Sequence, residues 1–244
     1  MFRLPLRILA MVLGLLVCLP LHYGWKAAGR ASPWPRRFLW WTGFAAGLRV
    51  RVEGRPLRSH VLFLANHVSW LDILIVAGAT GAAFISKAEV RRWPLVGWLA
   101  GLNDTIYVDR AARGGVRGQA DALRDALAAG RAVALFPEGT TEGGHVTLPF
   151  RPSLLASLFP ALDRVQVQPA AIDFGAAVHD IAWVGDEGAL ANAGRILSRK
   201  GTIPVTIRFL APVDPHIFGD RKALARQAQA EIEEALGGAA PQPR

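Results

Sequence analysis

The first 47 residues form an apolar segment whose pattern differs from that of the rest of the chain. An unbroken apolar run covers Ile8–Leu21, which is short for a helix that crosses a membrane, since a span needs about 20 residues. Tryptophans alternate with basic residues after the run, and this mixture favours the headgroup region of a bilayer. Pro20, Pro33 and Pro35 are expected to divide the segment into short pieces.

Residues 1–47 therefore predict two apolar helices that enter or lie on a membrane. A single tilted span from about Leu4 to Trp25 is the competing interpretation. A cleaved secretion signal fits less well, because no small-residue cleavage motif directly follows the apolar run. Cys18, the single cysteine of the chain, lies inside this run. It is interpreted as a small apolar residue, so no intrachain disulfide is expected.

Beyond residue 47, short apolar runs alternate with segments of helical periodicity. The runs predict strands at Arg49–Glu53, Val61–Ala65, Ala83–Ser86, Thr105–Val108, Ala132–Phe136, Val165–Ile172 and Ile203–Leu210. The periodic segments predict helices at Trp70–Ala77, Val116–Ala129, Pro152–Leu158, Gly188–Ser198 and Arg221–Leu236. Such alternation is typical of an α/β domain with a mainly parallel sheet flanked by helices. The predicted organisation is a membrane-associated helical segment (1–47), the α/β domain (48–236) and a flexible tail (237–244).

Composition adds a membrane-surface character to this picture. Apolar residues make up 52% of the chain, which is ample for a core, and the formal net charge is +9. An excess of positive charge suits anionic lipid headgroups. It would also suit nucleic acid, but the sequence contains no zinc-ligand spacing, RNP-like segment or basic helix. Nucleic acid is therefore not an expected partner, and no metal site is predicted.

Candidate chemistry lies where two of the predicted strands end. The segment Asn66–Asp72 directly follows the run Val61–Ala65, and ligands bind at such strand ends in open α/β sheets. Residues five apart do not share a face of a regular helix, so His67 must lie in the turn and Asp72 in the first helical turn for the two to meet. Ser69 is the expected N-cap of that helix, and Asp72 completes a capping box. The simpler alternative is that both residues only cap the helix.

A second segment follows the apolar run Arg131–Leu135. Its sequence, Phe136–Thr141, places Pro137 and Gly139 on either side of Glu138 and predicts a tight turn that presents the carboxylate. By itself such a turn is usually a solvated loop. Together, the two segments resemble the glycerolipid acyltransferase family, whose signature is an N-H-x-x-x-x-D block followed by F-P-E-G-T.

Further blocks extend the resemblance over residues 48 to 212, in the order that the family has them. Ile106–Arg110 is similar to the second block, Ser86–Gly97 to the stretch after the second strand, and Val167–Ala171 to the proline-containing fourth block. The resemblance implies a 1-acyl-sn-glycerol-3-phosphate acyltransferase-like enzyme. Such an enzyme moves a fatty acyl group from an acyl thioester to the free hydroxyl of a lysolipid.

The resemblance also implies roles for individual residues. His67 would be the general base that takes the proton of the acceptor hydroxyl, and Asp72 would fix the tautomer of its ring. Arg110 would pair with a phosphate through its planar fork, and Glu138 would orient the glycerol-like hydroxyls of the acceptor. The predicted substrate-binding set is completed by Lys87, Gly139 and Thr140.

Two further features of the chemistry are open at this point. Ser69 is a rival nucleophile, although direct attack by the substrate hydroxyl needs no acyl-enzyme. Backbone N–H groups from Asn66 to Val68, or at Gly139, are candidate donors to the oxyanion. The acyl donor is acyl-CoA or acyl carrier protein, which is a co-substrate, so no cofactor is expected.

One position departs from the commonest family pattern. Many relatives that use lysophosphatidic acid carry arginine directly after F-P-E-G-T, whereas this chain has Thr141 followed by Glu142. The segments Leu148–Leu155 and Ala182–Asp186 resemble a bacterial branch that includes both lysophosphatidate and lyso-ornithine lipid acyltransferases. Lysophosphatidate is the preferred acceptor here because that activity is the commoner in the family. A lyso-ornithine lipid, with Glu142 as a partner for its zwitterionic headgroup, is the alternative.

The resemblance implies an enzyme of the bacterial inner membrane with its catalytic domain on the cytoplasmic face, where acyl donors are made. Its expected partners are membrane lipids and the acyl donor, including acyl carrier protein. A catalytically inactive membrane lipid-binding protein is the alternative from another class, but the intact His67–Asp72 pair argues against it. A serine hydrolase is disfavoured because the sequence has no G-x-S-x-G motif.

Overall fold

Two N-terminal helices lie against an α/β domain in the computed structural model, which describes residues 2–108, 115–141, 143–144 and 147–237, with the backbone alone for 87–89, 108 and 115–120. The strands are β1 (Leu48–Glu53), β2 (Val61–Ala65), β3 (Ala83–Lys87), β4 (Ile106–Val108), β5 (Ala132–Leu135), β6 (Gln166–Asp173) and β7 (Ile203–Phe209). The α-helices are α1 (Arg3–Ala27), α2 (Trp34–Ala46), α3 (Leu71–Thr80), α4 (Pro94–Leu102), α5 (Gly115–Ala128), α6 (Val178–Ile181), α7 (Ala189–Ser198) and α8 (Arg221–Ala235).

The strands form one sheet in the order β1-β7-β6-β2-β5-β3-β4. Neighbouring strands run parallel except for β6 and β7, which pair antiparallel. Every strand predicted from an apolar run is present, with ends within one residue of the prediction. The predicted mainly parallel sheet flanked by helices is therefore confirmed.

The middle of the sheet is buried on both faces. All five residues of β2 are buried, and alternate side chains contact different layers, as strand geometry requires. Val61, Phe63 and Ala65 pack with α3 and α7 on one face, whereas Leu62 and Leu64 pack with α5 and α8 on the other. The carboxyl end of β2 thus emerges from the most rigid part of the molecule.

Helix α1 is longer than the sequence predicts. It runs unbroken through Pro20, so the prediction that Pro20 divides the segment is wrong. A proline removes one backbone hydrogen bond, and apolar helices at membranes tolerate this loss. Among the described residues, α1 is the one helix long and apolar enough to cross a membrane, and most of its large apolar side chains are exposed. Such a helix indicates membrane association.

Helix α1 is fixed to the rest of the molecule at two points. The guanidinium of Arg7 donates to three carbonyl oxygens at and beyond the end of α7, at 2.8–3.1 Å. The indole N–H of Trp41 donates to the carbonyl of Ala10 at 2.8 Å. A Cβ at Gly14 would lie 2.1 Å from Cδ1 of Trp41, so only glycine admits this close contact. The helix consequently lies along the domain.

Helix α2 covers α3 and holds its C-terminal end. Arg36 donates to the carbonyls of Gly78 and Ala79, at 3.0 and 2.8 Å. Trp40 packs directly on the backbone at Gly78, where a Cβ would lie 2.9 Å from its ring. These contacts satisfy carbonyls that a helix end otherwise leaves unpaired.

Three elements differ from the helices predicted by periodicity, and one of them is α6, a single turn that the sequence did not predict. Helix α4 lies between β3 and β4 and was not predicted, because its residues are apolar on every side and show no helical period. Pro152–Leu158 was predicted as a helix and forms a 3-10 helix, the tighter form that short connections adopt.

Candidate active site

The parallel direction of β2 and β5 brings the two candidate segments together. These strands are parallel neighbours, with Leu64 paired to Leu135, so the turns that follow them meet at one edge of the sheet. Asn66 locks the end of β2 to β6, because its side chain accepts from the N–H of Ile172 at 2.8 Å and donates to its carbonyl at 2.9 Å. The turn that carries His67 therefore starts from a fixed point.

His67 and Asp72 meet as the spacing predicts. Nδ1 of His67 lies 2.9 Å from Oδ2 of Asp72, and the same oxygen accepts from the N–H groups of Val68 and Ser69 at 2.7 and 2.8 Å. A carboxylate only accepts hydrogen bonds, so Nδ1 carries the proton and Nε2 has a free lone pair. Asp72 is fully buried, while 17% of the His67 side chain remains accessible. The exposed part of the ring can take a proton.

Ser69 was considered as the N-cap of α3 and as a nucleophile, and the structure favours neither role. Helix α3 begins at Leu71, with Trp70 as its N-cap, and the Ser69 hydroxyl lies a long 3.4 Å from the N–H of Leu71. Only one of the two hydrogen bonds of a capping box forms, in which the carboxylate of Asp72 accepts from the N–H of Ser69. Because Ser69 is fully buried, its hydroxyl cannot reach a thioester without a rearrangement of the turn, which argues against a serine nucleophile.

Aromatic stacking fixes the plane of the imidazole. The rings of His67 and Phe136 are 4.0 Å apart between centroids and inclined by 6°. Phe84 stacks in turn on Phe136, at 5.6 Å and 24°. A ring held by a hydrogen bond at one edge and a stacked face has little freedom to rotate. The sequence pattern contains no signal for this contact.

Glu138 is turned inward. Its Oε1 accepts from the backbone N–H of His67 at 2.8 Å, and its Oε2 accepts from the N–H of Leu148 at 3.0 Å. Only 2% of the residue is exposed, and burial raises the pKa of its carboxyl to about 7. The sequence predicts that this carboxylate faces the acceptor. In the structure both oxygens accept from backbone donors and the residue is almost fully buried, so the carboxylate is turned towards the two turns and away from solvent.

The rest of the turn faces outward. Gly139 has a φ of 77°, a conformation that favours glycine, and Thr140 is exposed. The guanidinium of Arg151 lies against the turn, since a Cβ at Gly139 would stand 3.2 Å from its Cζ. Arg151 also donates its backbone N–H to the carbonyl of Pro137 at 2.9 Å. Sequence reasoning assigned no role to Arg151, because closeness to the turn depends on chain folding.

The predicted oxyanion donors are already used inside the turns. The N–H groups of His67 and Val68 bond to Glu138 and Asp72, and that of Gly139 donates to the carbonyl of Phe136 at 3.1 Å. These three groups are therefore not available as they stand. Their role as donors to the oxyanion stays a prediction.

Three of the residues discussed from sequence cannot be placed fully. Arg110 and Glu142 lie outside the described residues, and the same holds for the side chain of Lys87, whose backbone ends β3. Their predicted roles remain predictions.

A third segment, Ala182–Glu187, closes over the two turns. Trp183 donates its backbone N–H to the carbonyl of Val68 at 3.0 Å, and its own carbonyl accepts from the hydroxyl of Thr141 at 2.6 Å. Glu187 anchors the segment to α7, because Arg195 and Asn192 donate to its carboxylate at 2.7–2.9 Å. These bonds lower the pKa of Glu187 to about 2.

Similarity to known proteins agrees with this geometry. Residues 49–173 match the family model described as Acyltransferase. The lyso-ornithine lipid O-acyltransferase of Pseudomonas aeruginosa is 39% identical over 208 residues, which cover 82% of this chain and 78% of that protein. The chain belongs to the acyltransferase family. It is a lysolipid O-acyltransferase, and the predicted family membership is confirmed.

The acyltransferase is also similar to one further lysolipid enzyme and to one solved structure. The 1-acyl-sn-glycerol-3-phosphate acyltransferase of Neisseria meningitidis is 30% identical over 208 residues, covering 78% of this chain and 76% of that protein. The crystal structure of the 1-acyl-sn-glycerophosphate acyltransferase PlsC from Thermotoga maritima has a TM-score of 0.60 at 24% identity, covering 86% of this chain and 78% of that one. The second likeness shows the same fold.

Substitution of Asp72 by Asn and by Ala is expected to separate its role in catalysis from its role in holding the turn. Asp72→Asn keeps an acceptor oxygen for the turn but removes the charge beside the imidazole, so kcat should fall about 10²–10⁴-fold while the protein stays folded. Asp72→Ala also leaves two backbone N–H groups unpaired, at about 1–3 kcal/mol each, and should lower Tm as well. Acyl-transfer rates and thermal unfolding in detergent micelles test this. Equal rates for wild type and Asp72→Asn would contradict it.

The raised pKa of Glu138 has a consequence for stability. Between its usual pKa of 4.5 and about 7, the folded protein holds a proton that the unfolded chain releases, so stability falls as pH rises through this window. The full effect is on the order of 3 kcal/mol. The Tm of wild type minus that of Glu138→Gln should therefore fall between pH 5 and pH 8.

Glu187→Gln is the matched control for this pH series. Because the pKa of Glu187 is lowered to about 2, it stays ionised throughout pH 5–8, and its Tm difference from wild type should be constant there. A constant difference for Glu138→Gln as well would show that Glu138 does not titrate in this range.

Proposed function

We propose that the chain is a lyso-ornithine lipid O-acyltransferase that uses His67 as general base. The choice of acceptor rests on sequence identity. The chain is 39% identical to the Pseudomonas aeruginosa lyso-ornithine lipid enzyme and 30% identical to the Neisseria meningitidis lysophosphatidate enzyme, over equal lengths. Lysophosphatidate, whose acylation is the commoner activity in the family, is the second candidate. It has less support here than the ornithine alternative.

The geometry supports direct attack by the acceptor hydroxyl. Nε2 of His67 takes the hydroxyl proton while the oxygen attacks the thioester carbonyl, and the resulting imidazolium faces the buried carboxylate of Asp72. Collapse of the tetrahedral intermediate expels the thiolate, which recovers the proton from Nε2. The products are an ester and a free thiol, and the base returns to its first state.

The remaining residues of the turns position the base. Glu138 holds the backbone of His67, and Phe136 holds the plane of its ring. Displacements of about 1 Å cost large factors in rate when reacting groups must be aligned. In this proposal Glu138 contributes by positioning His67 rather than by binding the acceptor.

The exposed side of the turn suits a headgroup that carries a carboxylate. Among the described residues, no carboxylate pairs with the guanidinium of Arg151 beside Gly139. An ornithine headgroup carries a carboxylate and an ammonium, and a planar guanidinium matches a carboxylate with two parallel hydrogen bonds. Arg151 is proposed as the partner of that carboxylate, and Glu142 stays the predicted partner of the ammonium. Arg110 stays a predicted second cation.

The source of the acyl donor determines where the catalytic domain is proposed to lie. Acyl-CoA and acyl carrier protein are made in the cytoplasm, so the catalytic domain is proposed to face the cytoplasm from the bacterial inner membrane. The contacts of α1 along the domain support a helix that lies at that surface, in preference to one that projects through the bilayer.

An acceptor comparison tests the proposal. Full-length protein in mixed phosphatidylethanolamine–phosphatidylglycerol vesicles is given lyso-ornithine lipid or lysophosphatidate, each with acyl-CoA and with acyl carrier protein as donor. We expect kcat/KM for lyso-ornithine lipid to be at least about tenfold higher, equivalent to 1.4 kcal/mol, and His67→Ala to abolish turnover. A preference for lysophosphatidate would assign the enzyme to phosphatidate synthesis. Turnover of neither lipid would favour a lipid-binding protein.

Thr141 gives a sharper test of the headgroup. Its hydroxyl donates to Trp183 at the position where many lysophosphatidate enzymes carry arginine. Thr141→Arg adds a charged donor, worth about 1.5–3 kcal/mol, and should raise kcat/KM for lysophosphatidate relative to lyso-ornithine lipid about tenfold. Thr141→Ala removes the same hydrogen bond without adding charge and should leave the ratio unchanged. If both variants shift the ratio equally, the change comes from loss of the Trp183 contact and not from the cation.

A further inference from the structure

Helix α4 has a surface that is difficult to reconcile with water. No charged residue occurs from Trp93 to Asn103, and Gly97 is its one buried residue. Trp93, Leu95, Val96 and Trp98 are 47%, 59%, 47% and 40% exposed. A helix that is apolar on all sides normally lies in a protein core or in lipid, and the described core covers only a small part of this one.

The length and the flanks of α4 point to the membrane interface. Its nine residues span about 13.5 Å, which is less than half of a hydrocarbon core about 30 Å thick. Tryptophan favours the boundary between headgroups and acyl chains. Trp93 is the N-cap of the helix, and Trp98 lies at its middle. Arg91 and Arg92, directly before it, are both exposed and complement anionic headgroups.

Helix α4 also lies beside the N-terminal helices. Its Leu99 and Leu102 line an apolar cavity together with residues of α1 that include Leu15, Cys18 and Leu19. The outward side chains of α1 are apolar and exposed. The exposed surface of α4 is thus continuous with the surface that indicates membrane association.

We propose that α4 is a third membrane-contacting element, inserted at the interface of a bilayer with anionic headgroups. Unlike α1 and α2, it is built into the α/β domain. Tyr107 of β4 donates its hydroxyl to the carbonyl of Gly97 at 2.7 Å, and Asn103 donates to the carbonyl of Ala82, next to β3, at 3.0 Å. The sheet that carries the active site is therefore attached to the bilayer through its own β3–β4 edge. This role is independent of the acceptor.

A single-cysteine fluorescence experiment tests the insertion. In the full chain with Cys18→Ser, the environment-sensitive dye NBD is attached at Leu95→Cys or, as a control, at Ile217→Cys. Ile217 is 74% exposed, and the adjacent Phe218 packs on the core cluster of the sheet face opposite to α3. With phosphatidylethanolamine–phosphatidylglycerol vesicles, emission from position 95 should shift to the blue and be quenched by nitroxide-labelled lipid. Emission from position 217 should do neither.

Partitioning of the protein into vesicles measures how much α4 contributes to membrane binding. Leu95→Glu combined with Val96→Glu should lower the vesicle partition coefficient about tenfold, equivalent to about 1.4 kcal/mol, while Ile217→Glu leaves it unchanged. Acyl transfer in detergent micelles should be normal in both variants, so a failure of this proposal is distinguishable from a failure of the catalytic one. Equal NBD spectra at both positions would overturn it. So would a blue shift at position 95 that needs only higher protein concentration without vesicles, since that result would assign the surface to a second copy of the chain.

Discussion

The Oδ2 atom of Asp72 carries three hydrogen bonds, and the arrangement of the site depends on them. It accepts from the imidazole of His67 and from two successive backbone N–H groups. Because the acceptor is ionised and buried, each bond is of the stronger, charge-assisted kind. The same atom thus fixes the tautomer of the base, the shape of the turn and the start of α3. Glu138 holds the backbone of His67, and Phe136 holds the plane of its ring. The base lies in a loop, but these contacts keep it in one position.

Sequence patterns predicted those parts of the molecule that follow from local periodicity or from fixed spacing. The strands were found because buried strands are continuous apolar runs bounded by turns. The contact between His67 and Asp72 was predicted because the spacing allows it when His67 lies in the turn, and because the family resemblance favours it over simple capping. The segments that carry His67 and Glu138 meet because they follow parallel neighbouring strands, whose carboxyl ends lie at the same edge of the sheet.

The remaining parts depend on contacts between distant segments. Nothing in a P-E-G turn tells which way the carboxylate of Glu138 faces, because one of its partners, Leu148, belongs to a later loop. Arg151 approaches Gly139 for the same reason. Helix α4 was missed because a helix without a polar face has no period, and Pro20 was given too much weight because a proline breaks helices less readily in apolar surroundings.

Helix α3 is held at both of its ends. Asp72 fixes its first turn, and Arg36 of α2 clamps the carbonyls of its last turn. A helix of ten residues is about 15 Å long, so one rigid element joins the turn that carries the base to the N-terminal helices.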